Sequence, residues 1–114
     1  MTLDPAKLAA NPPRRTRIVV PCYNEAARLD SAAFRAFAAR EPSVGFVLVN
    51  DGSRDATAAL LRELEASDRD AFSVVDLPRN LGKAEAVRTG LAAAFGSGAE
   101  FVGYWDADLA TPLE

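Results

Sequence analysis

The sequence predicts an α/β domain, a Rossmann-like parallel sheet with helices on both faces, and three observations carry that prediction. Short β-branched apolar runs alternate with segments whose apolar residues recur at helical spacing. Their order is strand, helix, strand, helix, strand, helix, strand, the pattern of a parallel sheet joined by right-handed crossovers. Each apolar run leads directly into a cluster of polar and turn residues, and in open parallel sheets ligands bind beyond the carboxyl ends of the strands.

Ile18-Val19-Val20 is the first buried strand, ended by Pro21. Asp30 or Ser31 caps a first helix reaching about Arg40, with Phe34 and Phe37 on one face. Phe46-Val47-Leu48-Val49 is the second strand. Asp55 caps the helix after it, whose Leu60, Leu61 and Leu64 form an apolar stripe. The third strand is Phe72 to Leu77. The helix that follows Gly82 has Val87, Leu91 and Phe95 spaced four apart on one face, and Gly96-Ser97-Gly98 stops it. Phe101 to Trp105 is the fourth strand. Residues 1–16 carry Pro5, Pro12, Pro13, Arg14 and Arg15 without an apolar stretch, and read as a flexible leader rather than a secretory signal.

Composition narrows the chemistry. The 49% apolar and 25% charged residues among 114 are those of one ordinary globular domain with a modest core. Apolar runs are short and interrupted by charge, so no membrane span is expected. A net charge of −3 argues against nucleic acid as a partner, and the cluster Arg14, Arg15 and Arg17 reads as a solvated run of charge. A single cysteine, Cys22, suits a reducing cytoplasm and small apolar packing. With no histidine, Ser-His-Asp and Cys-His catalysis and the usual zinc sites are excluded. What remains is chemistry by carboxylates, cations, hydroxyls or a bound metal.

Four polar clusters fall at the four strand ends: Pro21-Cys22-Tyr23-Asn24-Glu25, Asn50-Asp51-Gly52-Ser53, Pro78 to Lys83, and Asp106-Ala107-Asp108. Any one of them is ordinary turn chemistry; all four along one sheet edge predict a binding edge. Asp106 and Asp108, two apart on extended chain, project to the same side. Paired hard-oxygen donors suit magnesium or manganese, with water and phosphate completing the shell, although a turn cap beside an exposed aspartate fits the same triplet. Ser53 or Asp55 serves as a helix cap, which leaves Asp51 to accept hydrogen bonds from a ligand such as a nucleobase imide. Gly82 permits close ligand approach at a helix start and Lys83 adds charge suited to phosphate; an exposed lysine by a tight turn is the alternative. Tyr23 can stack on a base or pack in the core. Gly90, in mid-helix, reads as a point of close packing against the sheet.

The stretches "VVPCYNEAARL", "LVNDGSRDAT", "RNLGKAEAVRTGL" and "GYWDADLATPLE" together resemble, in family order, the inverting family-two glycosyltransferases of the GT-A fold, over nearly all of residues 18–114. The third and fourth are most similar to dolichyl- and polyprenyl-phosphate glucosyl- or mannosyltransferases. The resemblance implies that Pro21, Tyr23 and Glu25 line a nucleoside pocket. It implies that Asp51 holds the base, that Gly82 and Lys83 lie near the phosphates or ribose, and that Asp106 and Asp108 form the "DXD" pair. That pair would hold Mg²⁺ or Mn²⁺ on a nucleotide-diphosphate sugar of the UDP-glucose or GDP-mannose class. It further implies inversion by one in-line attack, a lipid-phosphate acceptor, and a cytoplasmic protein peripheral to the membrane.

Two departures stand out. Many relatives carry two acidic residues where this chain has Asn50-Asp51. Family domains are also about twice as long, so residues 17–114 are expected to be the nucleotide-sugar-binding half. No catalytic residue is identified in that half, and the isolated chain is expected to be inactive in transfer. Its uncovered sheet edge invites self-association. A sugar nucleotidyltransferase would need a glycine-rich basic loop after the first strand, a receiver domain an acidic pair there, and a dehydrogenase G-x-G-x-x-G; none is present. A non-catalytic nucleotide-sugar-binding module stays compatible with these residues.

Overall fold

The computed structural model describes residues 14–106. Four strands and three helices alternate: β1 (Thr16–Cys22), α1 (Ser31–Arg40), β2 (Val44–Asn50), α2 (Thr57–Ser67), β3 (Phe72–Asp76), α3 (Lys83–Gly96) and β4 (Phe101–Tyr104). The strands form one sheet in the order β3-β2-β1-β4, every pairing parallel. The chain therefore steps outward from β1 to β3 and then reverses, returning to the far side of β1 for β4. With crossovers of one hand, reversing direction must move the connecting helix to the opposite face. It does. Phe34 and Ala38 of α1 and Leu61 and Leu64 of α2 pack with Val20, Cys22, Phe46, Leu48 and Phe72 on one face. Ala86 and Ala94 of α3 pack with Val19, Val47 and Val49 on the other.

Alternation along β2 explains why its run reads as continuously apolar: Phe46 and Leu48 enter one core, Val47 and Val49 the other, and all are buried. The first core is aromatic, with the Phe46 ring edge-on to Phe34 at 5.2 Å and stacked on Phe72 at 5.6 Å. Burying a side chain of this size stabilises the fold by about 1.5–3 kcal/mol. Asp30 is the N-cap of α1, its carboxylate accepting from Ala33 N at 3.0 Å. Ser97 and Gly98 follow the end of α3.

Several expectations are corrected. Pro21 does not end β1, which runs on through Cys22. Val19 O accepts from Trp105 N on the β4 side, while Cys22 O accepts from Asp51 N on the β2 side. By alternation, position 21 faces the β4 side, beyond the last β1–β4 pair at Val19 and Tyr104, where a missing N–H breaks no ladder bond. On α3 the sheet-facing stripe is Ala86, Gly90 and Ala94 rather than Val87, Leu91 and Phe95. Leu91 still flanks the core, but Phe95 is 62% exposed. The cause is close approach: a Cβ on Gly90 would lie 2.3 Å from Val19 Cγ1, so the smallest residues must face the sheet.

Arg14 is not a solvated charge. Its guanidinium donates to the carbonyls of Ala38 (3.2 Å), Glu41 (3.2 Å) and Val44 (2.8 Å) and lies 3.4 Å from an Asp68 carboxylate oxygen. It joins the carboxyl end of α1, where the helix dipole favours a cation, to the start of β2. Arg17 donates to Asp70 O, and Arg15 alone of the three is largely exposed, beside Glu100. Thr16 already belongs to β1, while residues 1–13 lie outside the described residues. Among the described residues no helix is long and apolar enough to cross a membrane.

Candidate functional site

The switch in direction puts the carboxyl ends of β1 and β4 side by side, and the loops after β1, β2 and β3 are tied together there. Asn24, at φ +49, donates its N–H to Ser53 Oγ (3.0 Å), and its side-chain oxygen accepts from Arg54 N (2.8 Å). Glu25 N donates to Thr57 Oγ1 (2.8 Å). Ser53 therefore anchors the β1 loop instead of capping α2. The N-cap position of α2 is Ala56, which makes no side-chain cap, and Asp55 satisfies the Thr57 amide at 2.9 Å in its place. These bonds with Thr57 hold the Asp55 carboxyl below its ordinary pKa.

Asp51 is 3% exposed, and both its oxygens accept from the next loop: Leu81 N at 2.7 Å and Gly82 N at 3.1 Å. Gly52, at φ +68, lies so close to that loop that a Cβ would stand 2.3 Å from Asn80 N. Only glycine suits both its left-handed backbone and that approach. Asn50 accounts for its own departure from the acidic pattern. Its amide oxygen accepts from Ser53 N (3.0 Å) while its amide nitrogen donates to Asp76 (3.1 Å); an ionised aspartate could not donate.

Between these loops lies a cavity of about 440 Å³, lined by Pro21, Cys22, Tyr23, Glu25, Asp51, Asn80, Gly82, Lys83 and Asp106. Every residue expected at the donor site is on that wall; Asp108 lies outside the described residues. Sequence reasoning missed two. Asn80, whose side chain accepts from Gly82 N at 3.0 Å, looked like turn chemistry, and its place in a polar run after a strand was the available signal. Cys22 was read as core packing, which is also true: it is fully buried in the aromatic core and its thiol donates to Val20 O. Burial, and then the Glu25 carboxylate, push that thiol up to about 12.

Charge on the wall is unbalanced, with the carboxyls of Glu25, Asp51 and Asp106 against the single ammonium of Lys83. Lys83 Nζ lies 2.8 Å from Asp106 Oδ1 and 5.9 Å from the centre of the Tyr104 ring. Glu25 Oε2 is buried and accepts no hydrogen bond, although Arg28 Nε pairs with it at 3.0 Å; the contact is ionic and poorly aligned. Tyr23, also on the lining, is 39% exposed. Among the described residues no three His, Cys, Asp or Glu groups converge as a metal cage. Magnesium-type sites use one or two carboxylates completed by phosphate and water, and a half-exposed Asp106 at the end of β4 fits that donor set.

Comparison with known proteins shows what the chain is similar to. Residues 17–114 match Glycosyl transferase family 2. The undecaprenyl-phosphate 4-deoxy-4-formamido-L-arabinose transferase of Pseudomonas paraeruginosa is 40% identical over 101 residues, covering 85% of this chain and 29% of that protein. The poly-beta-1,6-N-acetyl-D-glucosamine synthase of Staphylococcus aureus is 32% identical over 73 residues, 64% of this chain and 17% of that one. Among solved structures, the mannosyltransferase PcManGT from Pyrobaculum calidifontis, in complex with GDP-Man and Mn²⁺, superposes with a TM-score of 0.69. It is 27% identical over 84% of this chain and 28% of its own. The S. aureus TarS in complex with UDP gives 0.61 at 26% identity, over 82% of this chain and 27% of its own. The chain thus spans less than a third of the length of each.

Proposed function

Because the chain belongs to glycosyl transferase family 2, we propose that its cavity binds a nucleotide-diphosphate sugar for transfer, with inversion, to an acceptor supplied in the whole protein. The observation that carries this reading is the meeting of seven donor-site residues, from four strand ends, on one wall. Tyr23 offers its ring to the base. Asp51, whose oxygens already accept from Leu81 and Gly82, retains lone pairs for a base imide. Glu25, on the same lining, can accept from a ribose hydroxyl. Lys83 pairs with the diphosphate.

Asp106, with Asp108, would hold Mg²⁺ or Mn²⁺ against that diphosphate, and the cation's chemistry there is to balance charge on the leaving nucleoside diphosphate. GDP-Man with Mn²⁺ in one structural neighbour and UDP in another support the ligand class without choosing a base. The sugar is equally open, since the names of relatives include a modified arabinose as well as N-acetylglucosamine. A polyprenyl phosphate is the acceptor class suggested by the first of these. Such an acceptor would bring the reaction to a membrane surface and the protein to its cytoplasmic face.

Calorimetry with UDP-glucose, GDP-mannose and UDP, each with Mn²⁺, Mg²⁺ or chelator, tests the reading. Binding of at least one nucleotide that strengthens with metal is expected. Equal binding in chelator removes the metal role, and failure of every nucleotide to bind a folded chain removes the site.

A further inference from the structure

Lys83 and Asp106 have been assigned to opposite halves of one ligand, the diphosphate and its cation, yet they are paired with each other at 2.8 Å. That contact competes with both roles, because a cation on the carboxylate repels the ammonium beside it and a phosphate draws the ammonium away. We propose that Lys83 is an exchangeable counter-ion for Asp106: it holds the carboxylate until a divalent cation displaces it, then passes to the diphosphate. Metal and nucleotide binding are thereby coupled. This rests on the assignment of Asp106 as a metal ligand.

Three features of the pair suit exchange. It is exposed, at 62% for the lysine side chain and 46% for the aspartate, and exposed ion pairs are cheap to open. The two groups are brought together only by the fold: Lys83 is the first residue of α3, and Asp106 lies two residues past β4. Val102 of β4 packs in the α3-side core, and alternation along extended chain puts Tyr104 and Asp106 on that same face. Finally, the Tyr104 ring, 5.9 Å from Nζ, gives the ammonium a second favourable surface, so it can leave Asp106 and stay in the site. A cation arriving at Asp106 must compete with Lys83, whereas a diphosphate that engages Lys83 frees the carboxylate for the cation. Each ligand therefore tightens the other, by a reciprocal factor.

The test is Mn²⁺ alone, titrated into the 114-residue chain and followed by the electron paramagnetic resonance of the free ion, and then UDP titrated at saturating Mn²⁺. Removing the competitor in Lys83→Met should tighten Mn²⁺ binding about two- to fivefold, the equivalent of an exposed ion pair. The same variant should weaken UDP binding and reduce the factor by which UDP tightens Mn²⁺. Lys83→Arg, which keeps the charge, should bind Mn²⁺ as the parent does. A lysine that merely touches phosphate predicts no change with Mn²⁺ alone. Equal or weaker Mn²⁺ binding by Lys83→Met, with Asp106→Asn weakening it in both backgrounds, overturns the exchange and leaves the metal site standing. Mn²⁺ binding that is absent from the parent, or indifferent to Asp106→Asn, overturns the metal assignment and the exchange with it.

Discussion

Gly90→Ala is a one-carbon test of how α3 reaches the sheet. The added Cβ would stand 2.3 Å from Val19 Cγ1 and 2.8 Å from Val49 Cγ2, where carbons in contact rest at about 3.5–4.0 Å. Neither valine can readily turn aside: both are fully buried, and β-branched side chains are stiff at χ1. Overpacking typically costs about 1–3 kcal/mol, and two contacts this short against stiff side chains place the cost near 3 kcal/mol. Alanine inside a helix returns about 1 kcal/mol relative to glycine. The net destabilisation is about 2 kcal/mol, which lowers Tm by about 10 °C in a domain of this size. Urea and thermal unfolding followed by circular dichroism measure it. Val19→Ala supplies the control, because it empties the space the new methyl needs. The double variant should be more stable than the two single effects summed, since the residues share one contact. An unchanged or raised Tm in Gly90→Ala, or strict additivity in the double variant, refutes the close packing.

Asp51→Ala should weaken nucleotide binding roughly ten- to a hundredfold, the loss of a hydrogen bond to a charged group worth about 1.5–3 kcal/mol, while metal dependence persists. Asp108→Ala should abolish that metal dependence, and matching effects of the two substitutions in calorimetry would sink the division of labour. Cys22 should resist thiol reagents such as dithionitrobenzoate at pH 8 in the native protein and react once urea unfolds it, because burial holds its pKa at about 12 against an ordinary 9.0. The unfolded thiol ionises first, so the stability this group contributes is complete below pH 9 and is lost as pH rises towards about 12. Immediate stoichiometric labelling of the folded chain would contradict this.

The order of elements, the covering of both sheet faces and the placing of polar clusters at strand ends were all legible in the sequence. Their signals are local: apolar period, cap residues and turn residues act over a few neighbours, and parallel topology turns that order into one functional edge. Pro21, Tyr23, Glu25, Asp51, Gly82, Lys83 and Asp106 could be named on that basis, and they share one cavity wall. What tertiary structure alone decided concerns contacts between residues far apart in the chain. Helical spacing offers Val87-Leu91-Phe95 and Ala86-Gly90-Ala94 as neighbouring stripes; the larger one looks like the core face until Val19 and Val49 leave room only for the smaller. A run of arginines looks solvated until Arg14 meets three carbonyls from α1, the residue after it and β2. Ser53 has the chemistry of a cap, and the Asn24 amide claims it instead. The pairing of Lys83 with Asp106 spans 23 residues. No local pattern encodes it, because it exists only once the chain reverses direction about β1 and brings the start of α3 over the end of β4.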